Sequence, residues 1–371
     1  MRIEIDATPL LLRSAGVKNY LYHWIRHLRR VSEDDRIAAF PFLGEYGGLT
    51  HEESLLGPLA TWPRLGLLYF VNLMPAVPAI DWIASRDNIF HASNQVRNPP
   101  RKTRLTATIH DLTCWILPEL HTPANVRADR SFAERVLRKA ARLIAVSENT
   151  KNDAVRLLGL DPERIDVIYS GIAEPFFHTT ADGVARTAAK YDLQRPYILF
   201  VGTIEPRKNI DVLLDARDAL PESLRSEVDL VIAGPVGWAA DATHRRISDP
   251  VPGVRYLGYV PEQDLPSLTA GATLFAYLSL YEGFGFPVAQ AMACGVPVLV
   301  SNVSSLPEVA GDAGLTADPH SVSEVAAAIS RLLEDSALRQ TLSERGKQRS
   351  KLFRWEKCAR RSLEFFHRAA G

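Results

Sequence analysis

Short apolar runs recur along the chain, each followed by a longer stretch whose apolar positions return every three or four residues. The runs at residues 2–5, 37–42, 89–91, 104–109 and 143–146 predict buried parallel strands. Helices are expected between them. One spans 20–30 and another 132–141, where Phe132, Val136 and Ala140 recur at helical spacing beside Arg and Lys. After a polar stretch at 178–184 the rhythm restarts, with strands expected at 197–201, 229–233, 255–257, 273–277 and 298–300. Alternation of this kind predicts an α/β fold with doubly wound sheets, and its restart predicts a second such domain. In these sheets ligands sit beyond the carboxyl ends of the strands. The residues just after each apolar run are therefore the candidates for chemistry.

Length agrees with this division, because 371 residues exceed what one hydrophobic core usually supports. Apolar residues make up 46% and charged residues 23%, which places the chain among globular proteins rather than disordered or membrane-spanning ones. Lys plus Arg equals Asp plus Glu at 43 each, so the balance gives no reason to expect nucleic acid as a partner. Cys114, Cys294 and Cys358 are odd in number and far apart, which argues against a disulfide framework. The start of the chain reads as a strand, since Glu4 and Asp6 interrupt what a signal peptide would keep apolar. A cytoplasmic setting is expected. The apolar stretch 55–82 is broken by Pro58, Pro63, Arg64, Asn72, Pro75, Pro78 and Asp81, which predicts no membrane span but leaves peripheral contact open.

Two post-strand segments carry the candidate chemistry. Residues 202–209, Gly-Thr-Ile-Glu-Pro-Arg-Lys-Asn, end in Arg207 and Lys208 just before a helix expected at 210–220. Arg grips two phosphate oxygens, Lys adds a point charge, and a helix N-terminus offers free N–H groups. A diphosphate cradle and an ordinary solvated loop both fit this segment taken alone. Residues 279–298 run Ser-Leu-Tyr-Glu-Gly-Phe-Gly-Phe-Pro-Val-Ala-Gln-Ala-Met-Ala-Cys-Gly-Val-Pro-Val. Here Gly283 and Gly285 permit close backbone approach, Pro287 suits a first helical turn, and Glu282 is an acceptor for sugar hydroxyls.

This second segment resembles glycosyltransferase family 4, a large GT-B family whose members show Glu, seven residues, and a second Glu in a stretch of this form. The resemblance implies two Rossmann-like domains facing a cleft. It implies that Glu282 contacts the hexose of a nucleotide-sugar donor, with Gly283, Phe284, Gly285 and Phe286 beside it, and that Gln290 stands where the family's ribose-binding carboxylate would be. By the same likeness Arg207 and Lys208 hold the donor pyrophosphate, with Thr203 where some relatives place an arginine. Val260 and Leu265 lie in the stretch that receives the nucleobase, and Ser304 is a ribose or phosphate contact, while Glu308 caps or braces its loop. In the N-terminal half, the small-residue loop Ser14-Ala15-Gly16-Val17 comes against the phosphates and His110 faces the sugar across the cleft. Asp111 orders its loop and Ser147 caps the helix that follows it.

The resemblance further implies retention at the anomeric carbon, with the leaving diphosphate assisting deprotonation of the acceptor and no enzyme nucleophile. No Asp-x-Asp triplet occurs in the chain, so metal-independent transfer without a cofactor is expected. The wording of residues 202–209 is similar to bacterial mannosyltransferases of O-antigen or exopolysaccharide synthesis. GDP-mannose is thus the first donor choice, ahead of UDP-glucose, UDP-galactose and GDP-rhamnose. The implied acceptor is an oligosaccharide on a polyprenyl diphosphate. A loop bearing Trp62, Leu67, Leu68, Tyr69 and Phe70, near Arg26, Arg29 and Arg30, either touches a membrane or folds over its own core.

The tail at 353–371 reads as an amphipathic helix with Trp355, Ala359, Leu363 and Phe366 on one face, which in GT-B proteins crosses back to the first domain. The expected domains are therefore 1–178 with 353–371, for the acceptor, and 183–352, for the donor. Non-catalytic binding of a nucleotide or glycan on the same scaffold is the alternative that Gln290 raises. An epimerase or a phosphorylase is a third reading, which no feature of the chain signals.

Overall fold

The structure is a computed structural model that describes residues 1–13, 16–51, 53–74, 81, 88–249 and 251–371. Ser14 and Ala15 of the small-residue loop, and residues 75–80 and 82 of the apolar stretch, Pro75 and Pro78 among them, lie outside the described residues. The chain divides into two compact units, Met1–Gly171 with Arg354–Gly371, and Ile172–Phe353. The division falls at Gly171/Ile172, ahead of the polar stretch expected to separate the domains. Ile172 already bonds within the second unit, donating to the Phe353 carbonyl at 2.7 Å. The polar stretch instead starts the helix Ala181–Lys190, whose first turn is capped by the Thr180 hydroxyl.

The first unit holds a six-stranded parallel sheet of β1 (Arg2–Asp6), β2 (Arg36–Phe40), β3 (Ile89–Ala92), β4 (Arg104–Ile109), β5 (Arg142–Ala145) and β6 (Ile165–Val167), in the order β2-β1-β3-β4-β5-β6. Nearly every position of the interior strands is buried because both faces are covered. Ile3, Ile5, Ile89, Phe90, Leu143 and Ile144 have no exposed surface. The helix Gly16–Val31 follows β1 and buries Tyr20, Leu21, Trp24, Ile25 and Leu28. The helix expected at 132–141 begins earlier, at Pro123, and continues as a wider turn over Ala133–Leu137. Thr122 fixes that start by accepting from the Asn125 N–H, and Pro123 suits the first turn.

The C-terminal helix Trp355–Ala370 belongs to this first unit and packs against Gly16–Val31. Its buried face is Trp355, Cys358, Ala359, Ser362, Phe365, Phe366 and Ala369. Leu363 is half-buried at the margin of that face. The seam is joined by a hydrogen bond from Trp24 Nε1 to Ser362 Oγ at 2.9 Å. Gly171 admits Trp355 directly against the backbone, since a Cβ there would come within 2.3 Å of the indole.

The second unit repeats the plan with β7 (Tyr197–Val201), β8 (Asp229–Ala233), β9 (Val254–Tyr256), β10 (Leu274–Tyr277), β11 (Val298–Ser301) and β12 (Gly314–Ala317), all parallel, in the order β12-β11-β10-β7-β8-β9. The order reverses between β7 and β10 here, and between β1 and β3 in the first unit. A reversal leaves a crevice beyond the carboxyl ends of the two strands flanking it, because their crossovers leave on opposite faces. Two edge strands escape the hydropathy pattern, β6 (Ile-Asp-Val) and β12 (Gly-Leu-Thr-Ala). An edge strand is covered less completely than an interior one, so its sequence need not be a continuous apolar run.

Candidate active site

The two segments singled out by sequence flank the switch point of the second unit, one after β7 and one after β10. After β7 the chain turns through 202–205 and makes a short 3-10 turn over Pro206–Lys208. It passes Asn209 at φ 55° and enters the helix Ile210–Asp218. Asn is among the residues that tolerate this left-handed conformation, and its side chain ties the turn to the Leu278 and Pro319 carbonyls at 3.2 and 2.7 Å. The turn is close-packed from below as well. Gly234, at φ 146°, lies so near the Gly202 carbonyl that an added Cβ would sit 1.9 Å from its oxygen.

After β10 the chain runs to Gly285, at φ 94°, which caps the helix Phe286–Ala293. Only glycine enters that conformation without strain, and a Cβ would also meet Leu306 at 2.6 Å. Serines at the end of β11 and just beyond it brace this loop. The Ser304 hydroxyl accepts from the Glu282 N–H at 3.1 Å, and Ser305 and Ser301 donate to the Glu282 and Ser279 carbonyls at 3.0 and 2.5 Å. Ser304 has φ 58°, sparsely populated for a residue with a Cβ.

These turns bring Arg207, Lys208 and Glu282 into one buried cluster. Lys208 Nζ lies 2.5 Å from Glu282 Oε1 and donates to the Tyr277 hydroxyl at 2.7 Å. Arg207 reaches Glu282 Oε1 at 3.0 Å, the Tyr281 carbonyl at 2.6 Å and Glu205 Oε1 at 2.6 Å. Burial alone would raise the Glu282 pKa, but Arg207 and Lys208 outweigh it and hold the carboxyl at about 2. Burial, and after it the neighbouring Arg207, draws the Lys208 ammonium below its ordinary value, against the pull of Glu282 and Glu205. Glu282 is thus an ionised acceptor facing two cations, in a water-poor setting that strengthens their action on an incoming anion.

The structure places the other expected donor residues in differing surroundings. Thr203 lies half-buried in the turn after β7, and Ser304 acts on Glu282 through its main chain. Gly283 is buried beside Glu282, while Phe284 is a packing residue, edge-on to Phe286 and Phe353 at 5.4 and 5.3 Å. Val260 is buried, Leu265 starts the helix Leu265–Ala270, and Gln290 is half-buried on Phe286–Ala293. Among the described hydrogen bonds none joins these three to the ionic cluster. Glu205, Tyr277 and Tyr281 are members that sequence reasoning passed over. Glu205 sits inside the segment 202–209 and Tyr277 ends the apolar run before the segment 279–298, so their positions lie near the site, while the partners that make them members are set by packing.

Gly16 and His110 belong to the first unit. Gly16 is exposed at the start of its helix. Nearby, Lys18 is fully buried, bonded to the Leu12 and Glu53 carbonyls, and burial lowers its pKa to about 8. His110 follows β4, packed edge-on to Tyr20 with 5.0 Å between ring centres. Burial pushes its pKa down to about 4, and its buried Nε2 has no hydrogen-bond partner among the described residues. Asp111 accepts from the Thr113 N–H at 3.0 Å and so orders its turn, and the Ser147 hydroxyl caps Glu148–Leu158. Among the described residues no group of three or more His, Cys, Asp or Glu is arranged to hold a metal ion, and no helix is long and apolar enough to cross a membrane.

Comparison with known proteins covers both units. Residues 185–349 match the family Glycosyl transferases group 1, and residues 14–174 match Glycosyltransferase Family 4. O-antigen chain mannosyltransferase B of Escherichia coli is 37% identical over 284 residues, 76% of this chain and 74% of that protein. The serotype-specific mannosyltransferase WbdA of Escherichia coli is 29% identical over 80% of this chain, which spans 37% of WbdA's length. Among solved structures, sucrose-phosphate synthase from Thermosynechococcus elongatus superposes with a TM-score of 0.75 at 21% identity, covering 99% of this chain and 98% of that one. Anabaena HepE in complex with UDP-glucose gives 0.73 at 19% identity, covering 99% of both chains. These likenesses show the GT-B fold, two Rossmann-like domains.

Proposed function

The chain belongs to the group 1 glycosyltransferases of family 4, and from that premise we propose that it moves mannose from GDP-mannose to a saccharide acceptor, with retention at the anomeric carbon. The observation that carries this reading is the buried cluster of Arg207, Lys208 and Glu282 at the switch point of the second sheet. Arg207 and Lys208 would take the donor diphosphate, where negative charge grows as the glycosidic bond to phosphate breaks. Glu282 would accept from hexose hydroxyls and so orient the sugar. Transfer is proposed to proceed without a metal, Arg207 and Lys208 being the groups that meet the charge developing on the diphosphate.

The choice of mannose is supported by the two mannosyltransferase relatives from Escherichia coli, both concerned by name with O-antigen or serotype. A lipid-linked acceptor fits an exposed apolar surface in the first unit. The stretch expected to be a loop is the helix Pro58–Leu73. It buries Leu68 and Val71 but presents Leu59, Trp62, Tyr69 and Leu73 at 95, 71, 64 and 77% exposure. Trp and Tyr among aliphatic residues suit the boundary between headgroups and acyl chains. Of the arginines expected beside it, Arg29 bonds the Ile37, Leu43 and Gly44 carbonyls and so serves the fold.

Purified protein is to be screened by thermal shift and by diphosphate release against GDP-mannose, GDP-rhamnose, UDP-glucose and UDP-galactose, with and without EDTA. The expected result is the largest shift and release of GDP with GDP-mannose, unaffected by EDTA. A preference for UDP-sugars would overturn the donor, and loss of activity with EDTA the metal independence. Gln290, where the family's second carboxylate stands, supports one other reading: binding without turnover. Tight donor binding with no release on any acceptor would decide for it.

A further inference from the structure

Three of the four ionised groups in the cluster have a task in the reading above, Arg207 and Lys208 toward the diphosphate and Glu282 toward the hexose. Glu205 has none. Its side chain is 3% exposed and its Oε1 lies 2.6 Å from the Arg207 guanidinium. Arg207 is thereby held from two sides, by Glu205 on one terminal nitrogen and by Glu282 and the Tyr281 carbonyl on the other. Formal charge at the site sums to zero before any ligand arrives. A buried carboxylate within a few ångströms of a phosphate-binding site repels the phosphate, and low local dielectric magnifies the repulsion. Its retention there calls for a compensating role.

We propose that Glu205 is a positioning residue that acts as a fixed counter-charge: it pins Arg207 in the cradle and offsets the cations enough for the nucleoside diphosphate product to leave. The proposal rests on the reading of this cluster as a diphosphate site. When Glu282 engages the sugar, Arg207 stays anchored through Glu205, with guanidinium donors remaining for phosphate. The second effect falls on Lys208, whose charged and titratable neighbours are Arg207, Glu282, Glu205 and Tyr277. Glu205 and Glu282 both favour its protonated form.

Glu205→Gln retains the shape and the accepting oxygen while removing the charge, so it separates counter-charge from simple anchoring. Binding of GDP and of UDP to the full chain is to be measured by calorimetry at about pH 6.5 and low salt. The proposal expects the variant to bind its preferred diphosphate about tenfold more tightly than the wild type, with a lower steady-state kcat and a burst of product in the first turnover. It also expects the alkaline loss of binding to begin at lower pH, since Lys208 has lost one of the two carboxylates that keep it charged. Glu205→Asp, which keeps the charge on a shorter side chain, should not show the tighter diphosphate binding. A purely structural anchor predicts weaker binding in the variant. Weaker or unchanged binding therefore overturns the proposal, and Glu205→Ala carries the same test if the amide fails to fold. Wild type that binds neither diphosphate would sink the cradle reading and this proposal with it; wild type that binds beside an unaltered variant sinks this proposal alone.

Discussion

The two units bury polar side chains behind the carboxyl ends of their sheets, and they do so in opposite ways. In the second unit Glu205, Arg207, Lys208 and Glu282 are nearly sealed from water yet keep Glu282 ionised, at about pKa 2, because each charge has an opposite one within about 3 Å. In the first unit His91 and His110 have no such partners. His91 lies between the hydroxyls of Thr106 and Thr108, at 2.9 and 2.8 Å, and against the rings of Trp24 and Phe366. Burial, and after it His110, pushes its pKa down to about 3. Burial by itself thus does not decide whether a group is charged; what it is buried against does. The paired cluster can answer an anion with preformed charge. The neutral cluster gives packing and hydrogen bonds.

The contrast is broken most severely at Lys208. Lys208→Ala leaves Glu282 with Arg207 alone and removes a cation from the place where charge develops, so kcat should fall on the order of a hundred- to a thousandfold. Steady-state kinetics with the donor that the screen selects checks this, and unchanged kinetics would remove the cluster from the reaction. In the first unit the comparable substitution should act on stability instead. His91→Ala opens a cavity and strips two buried hydroxyls of a partner, with an expected loss of about 3 kcal/mol in urea denaturation. Donor affinity should remain as it was if the two clusters are independent.

Acid sharpens the comparison further. His91 and His110 titrate at about 3 and about 4 in the folded chain, below the ordinary 6.5, so the unfolded chain takes up protons that the folded one refuses. Their favourable contribution is complete above about pH 6.5 and declines as the pH falls toward 4 and then 3. Glu282, lowered from 4.5 to about 2, contributes fully above pH 4.5 and loses that contribution only on descent toward pH 2. Hydrogen exchange followed through an acid titration should therefore show Met1–Gly171 losing protection at higher pH than Ile172–Phe353. A common midpoint would abolish the distinction. The smallest expected change is at Gln290. Gln290→Glu should tighten nucleotide binding a few-fold if that side chain faces ribose, since a charged acceptor makes the stronger hydrogen bond, and equal affinity in a titration would assign the position elsewhere.

Much of the plan was legible without coordinates. Interior strands such as β7 and β10 announce themselves because a strand covered on both faces reads as a near-continuous apolar run. The same reasoning fails for β6 and β12, which are edge strands and carry polar residues. It also misplaced the outward stretch at 62–70 as a loop, since Pro63 and a nearly all-round apolar composition hide the helical period of Pro58–Leu73. For the site, Arg207, Lys208 and Glu282 were readable from residue type and position after a strand. Glu205 was not, because its meaning is the 2.6 Å contact to Arg207.

The sequence alone determined that two α/β units would form and which post-strand turns would carry charge, for hydropathy periods and glycine positions are local properties of the chain. Tertiary structure decided that residues 74 positions apart, Lys208 and Glu282, would stand 2.5 Å from each other. It also decided that Glu205 would join them, and that His91 and His110 would be left neutral. Those outcomes depend on strand order, which brings β7 beside β10, and on the dielectric surroundings that only packing creates.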